Sequence, residues 1–133
     1  MAKIGRFARE RWLISACLLG GVLLTVIGVR YFLMPEQAAR TFGVPGRPAG
    51  YELYYIIALR NVWLGLLALG LALLRQWNAL ALWFAMGAIV CFGDAGIAAS
   101  STGRWPQIAF HIGCGIACIG LAAAAWRFAA RRV

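Results

Sequence analysis

The sequence predicts an all-α integral membrane protein, a bundle of four spanning helices with a short interfacial helix after the first span. Hydrophobic residues make up 63% of its 133 residues and charged residues only 13%, which leaves too little polar surface for a soluble domain. The apolar residues also fall into runs long enough to cross a bilayer. The length indicates a single transmembrane domain, residues 1–133.

The net charge of +9 does not indicate a nucleic-acid-binding protein. The basic residues lie at the ends of the apolar runs and form no stripe interleaved with aromatic side chains. Membrane topology explains that distribution, and membrane lipids, anionic ones above all, are the partner that suits the charge.

The first span is predicted at residues 12–34, after a basic N-terminal segment. This apolar run is longer than the core of a signal peptide, and no cleavage site of small residues follows it, so we expect an uncleaved helix. Tyr31 and Phe32 at its end are typical of an aromatic belt at the membrane interface.

A short helix is predicted next, at residues 35–43. Pro35 followed by Glu36 is a helix start signal, and Gly43 with Pro45 is a stop signal. We expect this helix to lie on the membrane surface. Three of its side chains are expected to face lipid: Ala38, Ala39 and Phe42. The loop after it contains Gly46, Pro48 and Gly50.

Three further spans are predicted at residues 51–74, 79–99 and 107–126, joined by tight turns. Small residues at four-residue spacing favour close helix packing. So small a bundle also leaves apolar faces available for a homo-oligomer or for a larger membrane complex.

Orientation follows from the positive-inside rule. An even number of spans places both termini on one side, and that side holds eight basic residues against four on the other. The first group is Lys3, Arg6, Arg9, Arg11, Arg75, Arg127, Arg131 and Arg132; the second is Arg30, Arg40, Arg47 and Arg104. We expect a bacterial inner-membrane protein with both termini in the cytoplasm.

Ionisable residues on three different spans are predicted to lie at one depth, in the outer half of the membrane. Arg60 lies about 12 Å below Glu52 at 1.5 Å per residue, and Asp94 and His111 each lie about one turn from the outer end of their own helix. Charges inside a bilayer are costly, so we expect these side chains to face inward and to pair. The expected pairs are Arg60 with Asp94 or Glu52, and His111 with Asp94.

Two interpretations of this group remain open. In one, Arg60 and Asp94 form an ion pair that only holds the bundle together, as in a structural or accessory subunit. In the other, the group binds a small hydrophobic or amphipathic molecule, with isomerase-like acid–base chemistry as an extension. The candidate catalytic residues are His111 and Asp94. The candidate ligand-binding residues are Glu52, Tyr55, Arg60, Asn61 and Trp63, although for Trp63 core packing is the role that we expect first.

A metal or haem site is a weaker alternative. The possible ligands are His111, Cys91, Cys114 and Cys118, all of types that bind soft or borderline metals, and a lone histidine also serves as an axial haem ligand. Because every cysteine lies inside an apolar run, the simpler interpretation is that all are free thiols acting as small apolar residues. The residues themselves identify no cofactor.

Four segments carry a family resemblance: YFLMPEQAARTFGVP (Tyr31–Pro45), LRNVWLGLLAL (Leu59–Leu69), GDAGI (Gly93–Ile97) and the histidine early in the last span, His111. The chain resembles the small four-helix membrane proteins of the domain-of-unknown-function family 4267. The resemblance implies the four-helix fold and covers most of the chain. It implies no activity, and the cysteines do not belong to its pattern.

Overall fold

The computed structural model describes residues 2–44 and 50–131, with side chains from residue 7 onward. Within those residues it has five helices and no strand, which confirms the predicted fold class. The helices are α1 (Ala2–Leu33), α2 (Pro35–Phe42), α3 (Glu52–Leu73), α4 (Trp77–Ser101) and α5 (Trp105–Ala130). The loop predicted at Gly46 and Pro48 lies outside the described residues.

Four of these helices are long and apolar enough to cross a membrane. They are α3, α4, α5 and the apolar part of α1, Phe7–Leu33. The chain is therefore a multi-pass membrane protein, and its helices contact lipid. Helix α1 begins well before its apolar part because the basic N-terminal segment continues the same helix.

The bundle consists of two tightly packed helix pairs. Helix α1 packs along α3, and α4 packs along α5, while the interface between the pairs is much sparser. Glycines explain the close approach in the first pair: a Cβ on Gly65 would lie 2.7 Å from the Gly21 carbonyl oxygen, and one on Gly28 would lie 2.8 Å from the Ala58 carbonyl oxygen. Such small-residue faces are the usual basis of helix association in membranes.

One apolar cluster joins the two pairs at the end of the bundle that holds the chain termini. It draws buried side chains from all four long helices: Leu13, Cys17, Ala72, Trp77, Leu80, Ala81, Phe84 and Ala125. Phe84 of α4 also lies beside Gly20 of α1, where a Cβ would come within 3.4 Å of its ring. At this end the two pairs are thus held together by continuous apolar packing.

The opposite end, which we call the α2 end, has a second cluster covered by α2. Ala38 and Ala39 are buried against Tyr31, Tyr54 and Ala58. The expectation that these two alanines face lipid is therefore wrong, because their small side chains let α2 lie directly on α1 and α3. Tyr31 is only 4% exposed, so it belongs to this cluster and not to an interfacial belt.

The ends of α2 follow from its sequence. Pro35 occupies the first helical position, where its missing N–H costs nothing. Gly43 ends the helix with φ 108°, a left-handed conformation that favours glycine. The N–H groups of Gly43 and Val44 both donate to the Ala39 carbonyl, at 3.1 and 3.0 Å. The carbonyl of Phe42 is left to find another donor.

We expect Gly65→Ala to destabilise the protein by about 1–3 kcal/mol, because the added methyl group meets the α1 backbone and forces the first pair apart. Gly70→Ala is the matched control on the same helix, since a Cβ there would meet no described atom within 4 Å. Thermal unfolding in detergent measures both variants. Equal melting temperatures for the two would contradict the close approach of α1 and α3.

Candidate functional site

His111 links α5 to the end of α2. Its Nε2 lies 2.9 Å from the Phe42 carbonyl oxygen. Because a carbonyl only accepts, Nε2 carries the hydrogen and donates it. A neutral His111 is then fixed as the tautomer whose Nδ1 is the basic nitrogen.

Packing around this hydrogen bond seats the end of α2 against both α4 and α5. The Phe42 ring meets the imidazole edge-on, with centroids 4.6 Å apart. At Gly43 an added Cβ would lie 2.9 Å from the Ala98 Cβ and 3.3 Å from the Gln107 Cβ. Only glycine satisfies both the left-handed turn and this close contact. His111 itself is 7% exposed.

Asp94 is the centre of the polar group at the α2 end. Its side chain, half-buried on α4, lies close enough to Arg60 of α3 and to His111 of α5 for both to act on it electrostatically. The Tyr31 hydroxyl, on α1, is also within electrostatic range of Asp94. Ionisable side chains from three other helices are therefore within electrostatic range of Asp94. We call Arg60, Asp94, His111 and Tyr31 the polar cluster.

The expected direct ion pairs are not formed. Over residues 7–44 and 50–131 the structure has ion pairs between Arg40 and Glu36 and between Arg75 and Glu10, both at 3.5 Å. Arg60 and Asp94 are in neither, so the predicted pairs of Arg60 with Asp94 or Glu52, and of His111 with Asp94, are wrong as contacts within 4 Å. His111 turns to the Phe42 carbonyl instead, and Arg60 is exposed.

The other predicted ligand-binding residues all lie on α3, and three of the four are exposed. Glu52 is exposed at the first position of α3, with its carboxylate folded over Gly50. The Tyr55 ring stacks on Phe32, with centroids 6.0 Å apart. Trp63 is 59% exposed, so the expectation of core packing is wrong for it. Asn61 is half-buried on α3, one residue after Arg60.

The cysteines are all free thiols. Cys17 is part of the apolar cluster near the termini, while Cys91 and Cys118 face each other across α4 and α5, with Cys114 close to Cys91. In the part of the chain that the structure describes, no three His, Cys, Asp or Glu side chains come together as a possible metal-ligand set.

The comparison with known families covers most of the chain. The model of a family described as a domain of unknown function, DUF4267, matches residues 21–127. The chain belongs to the DUF4267 family. No curated protein and no solved structure matches it. The match confirms the resemblance seen in the sequence and spans every residue of the polar cluster, together with α2.

Two groups in the site of this DUF4267 protein were not predicted from the sequence. The Phe42 acceptor is a backbone carbonyl, which has no signal in a residue pattern. Tyr31 looks like a belt residue by its position at the end of a span, and its burial results from α2 lying over it. The one usable signal was the stop at Gly43, since a helix that ends against other helices needs donors for its last carbonyls.

We expect His111→Phe to loosen α2 in this DUF4267 protein. Phenylalanine keeps the ring packing against Phe42 but has no N–H, so a buried carbonyl is left unsatisfied at a cost of about 1–3 kcal/mol. Hydrogen exchange of the amides in residues 38–44 should accelerate. His111→Gln restores a side-chain N–H donor and should recover part of the protection.

If the amides of residues 38–44 exchange at unchanged rates in His111→Phe, the hydrogen bond does not stabilise the position of α2. The amides of α3 near Gly65 are the internal control. Gly65 packs against Gly21 and Thr25 of α1, so these amides should exchange as in the unchanged protein.

Proposed function

We propose that the polar cluster binds a small hydrophobic or amphipathic molecule that enters from the bilayer between α3 and α4. One observation supports this above the others: Arg60 and Asp94 have opposite charges within electrostatic range of each other, yet make no ion pair within 4 Å. Charges inside a membrane are costly, and stability alone is a weak reason for them since polar contacts there average only about 0.6 kcal/mol.

These two side chains together suit a polar group with both a donor and an acceptor. Arg60 offers hydrogen-bond donors to a carbonyl or carboxylate oxygen, and the Asp94 carboxylate accepts from a hydroxyl. The sparse interface between the two helix pairs and the exposure of Arg60 support lateral access from lipid. The apolar part of the ligand would then remain among the acyl chains.

Acid–base chemistry is the extension of this proposal. With Nε2 donating to Phe42, Nδ1 of a neutral His111 is the nitrogen able to take a proton from a ligand carbon. Arg60 would stabilise the enolate oxygen that develops, and the same His111 would return the proton to a different carbon. Such a proton shift is an isomerisation and needs no further reactant. Asp94 would supply a negative charge within electrostatic range of the imidazole.

Arg60→Met and Asp94→Asn should each remove the bound molecule while leaving the melting temperature in detergent within a few degrees, since no direct ion pair is lost. Native mass spectrometry and solvent extraction of the purified protein measure retention. Arg104→Met is the matched control: Arg104 is exposed at the same end, just before α5, and lies outside the cluster.

The proposal would be contradicted if each single variant strongly lowered the melting temperature and an Arg60→Leu/Asp94→Ala double variant recovered it. That pattern would mean that the two charges hold the bundle together, as in a structural or accessory subunit of a larger complex. The fixed role of His111 at the end of α2 is the observation that favours this second candidate.

We further infer that the α2 end faces away from the cytoplasm of a bacterial inner membrane. The end of the bundle that holds the chain termini has the larger share of basic residues, as the positive-inside rule requires of a cytoplasmic side. They include Arg9, Arg11, Arg75, Arg127 and Arg131. Arg47 and Arg132, which the sequence counts include, lie outside the described residues.

A C-terminal fusion tests this orientation in a bacterial host. We expect a green fluorescent protein fusion to fluoresce and an alkaline phosphatase fusion to be inactive, because the first folds in the cytoplasm and the second matures only outside it. An active phosphatase fusion would show that the C-terminus lies outside the cytoplasm, which is the opposite of the proposed orientation.

A further inference from the structure

A shallow cleft of about 300 Å³ lies where α1 passes into α2. It is separate from the polar cluster and shares no residue with it. Its lining combines apolar and polar groups: Leu33, Met34, Pro35, Glu36, Gln37 and Tyr51. Leu33 and Met34 are well exposed, so the apolar part of the cleft is open to an acyl chain.

The polar side of the cleft is organised around the Glu36 carboxylate. The Tyr51 hydroxyl donates to Glu36 Oε1 at 2.7 Å, and Arg40 Nη2 lies 3.5 Å from Oε2. An exposed ion pair within one helix contributes little, and a carboxylate has about four acceptor positions. The carboxylate is therefore held in place with room for a further donor.

The position of the cleft indicates an occupant that is itself amphipathic. Leu33 is the last residue of the apolar stretch of α1, and Tyr51 immediately precedes α3. Aromatic side chains gather at this level, with Tyr51 near both Tyr54 and Tyr55. These features are typical of the headgroup region of a membrane.

We propose that this cleft binds a phospholipid whose headgroup carries a primary ammonium, as phosphoethanolamine does. The ammonium donates to Glu36 Oε2, the phosphate lies against Arg40, and an acyl chain follows Leu33 and Met34. Glu36 and Arg40 present one negative and one positive charge one helical turn apart, and the headgroup presents one ammonium and one phosphate to pair with them. Each charge gains a partner with no change in net charge.

The test uses the full-length protein in lipid nanodiscs and native mass spectrometry. The phosphoethanolamine lipid should be retained over lipids with phosphocholine or phosphoglycerol headgroups, because choline has no N–H to donate and glycerol no positive charge. Glu36→Gln should lower that affinity about tenfold, since a hydrogen bond to a charged group contributes on that scale. Glutamine keeps the acceptor for Tyr51, so the local fold is preserved.

Glu10→Gln is the matched control, because Glu10 pairs with Arg75 at the other end of the bundle and should keep the affinity unchanged. Equal binding by Glu36→Gln and the unchanged protein would overturn the proposal, as would equal retention of the phosphocholine lipid. Binding of soluble phosphoethanolamine as tight as that of the lipid would overturn the lipid as the ligand. Arg60→Met should leave this binding intact, which separates the cleft from the polar cluster.

Discussion

The arrangement of the α2 end depends on the hydrogen bond from His111 to the Phe42 carbonyl. A helix that ends against a membrane-embedded bundle has carbonyl groups that water does not reach, and each unsatisfied one is costly. The Ala39 carbonyl is satisfied by the turn at Gly43, but Phe42 needs a donor from elsewhere. His111 provides it from a helix far away in the chain, and so ties α2, which lies on the first helix pair, to the second pair.

This tie explains why the two helix pairs form one structure while their mutual interface is sparse. At the terminal end they share an apolar cluster that includes Leu80 and Phe84. At the α2 end, α2 itself is the connection, with Ala38 and Ala39 on the first pair and Gly43 against Ala98 of the second. Between the two connections lie the charges of Arg60 and Asp94. They are within electrostatic range of each other without an ion pair, which is the observation behind the proposed binding role.

Much of the fold could be predicted from the sequence because it depends on local properties. Run length and composition define the four long helices, and Pro35 and Gly43 define α2, since the effects of proline and glycine on the backbone do not depend on the rest of the molecule. The proximity of Arg60 and His111 to Asp94 also agrees with the level that helix geometry predicts for them. The buried face of α2 could not be predicted in this way. Ala38 and Ala39 are apolar enough to contact either lipid or protein, and only the tertiary packing decides between them.

The direct contacts of the site were harder to predict for a related reason. A charge pattern suggests charged partners, so Asp94 was the natural partner for His111. The actual acceptor is the backbone carbonyl of Phe42. That carbonyl needs a donor from another helix only because α2 ends at Gly43 and packs against α5. Tyr31 is a similar case, since its burial beside Asp94 depends on α2 lying over it.

Solid-state NMR of the protein in lipid bilayers tests the role of His111 most directly, because the chain has one histidine and a ¹⁵N-histidine sample reports on it alone. With carbonyl-¹³C phenylalanine added, the expected spectrum shows a protonated Nε2 in dipolar contact with a phenylalanine carbonyl carbon, and that contact disappears in Phe42→Leu. A neutral imidazole protonated on Nδ1, or an Nε2 without such a contact, would contradict the hydrogen bond on which the α2 end depends.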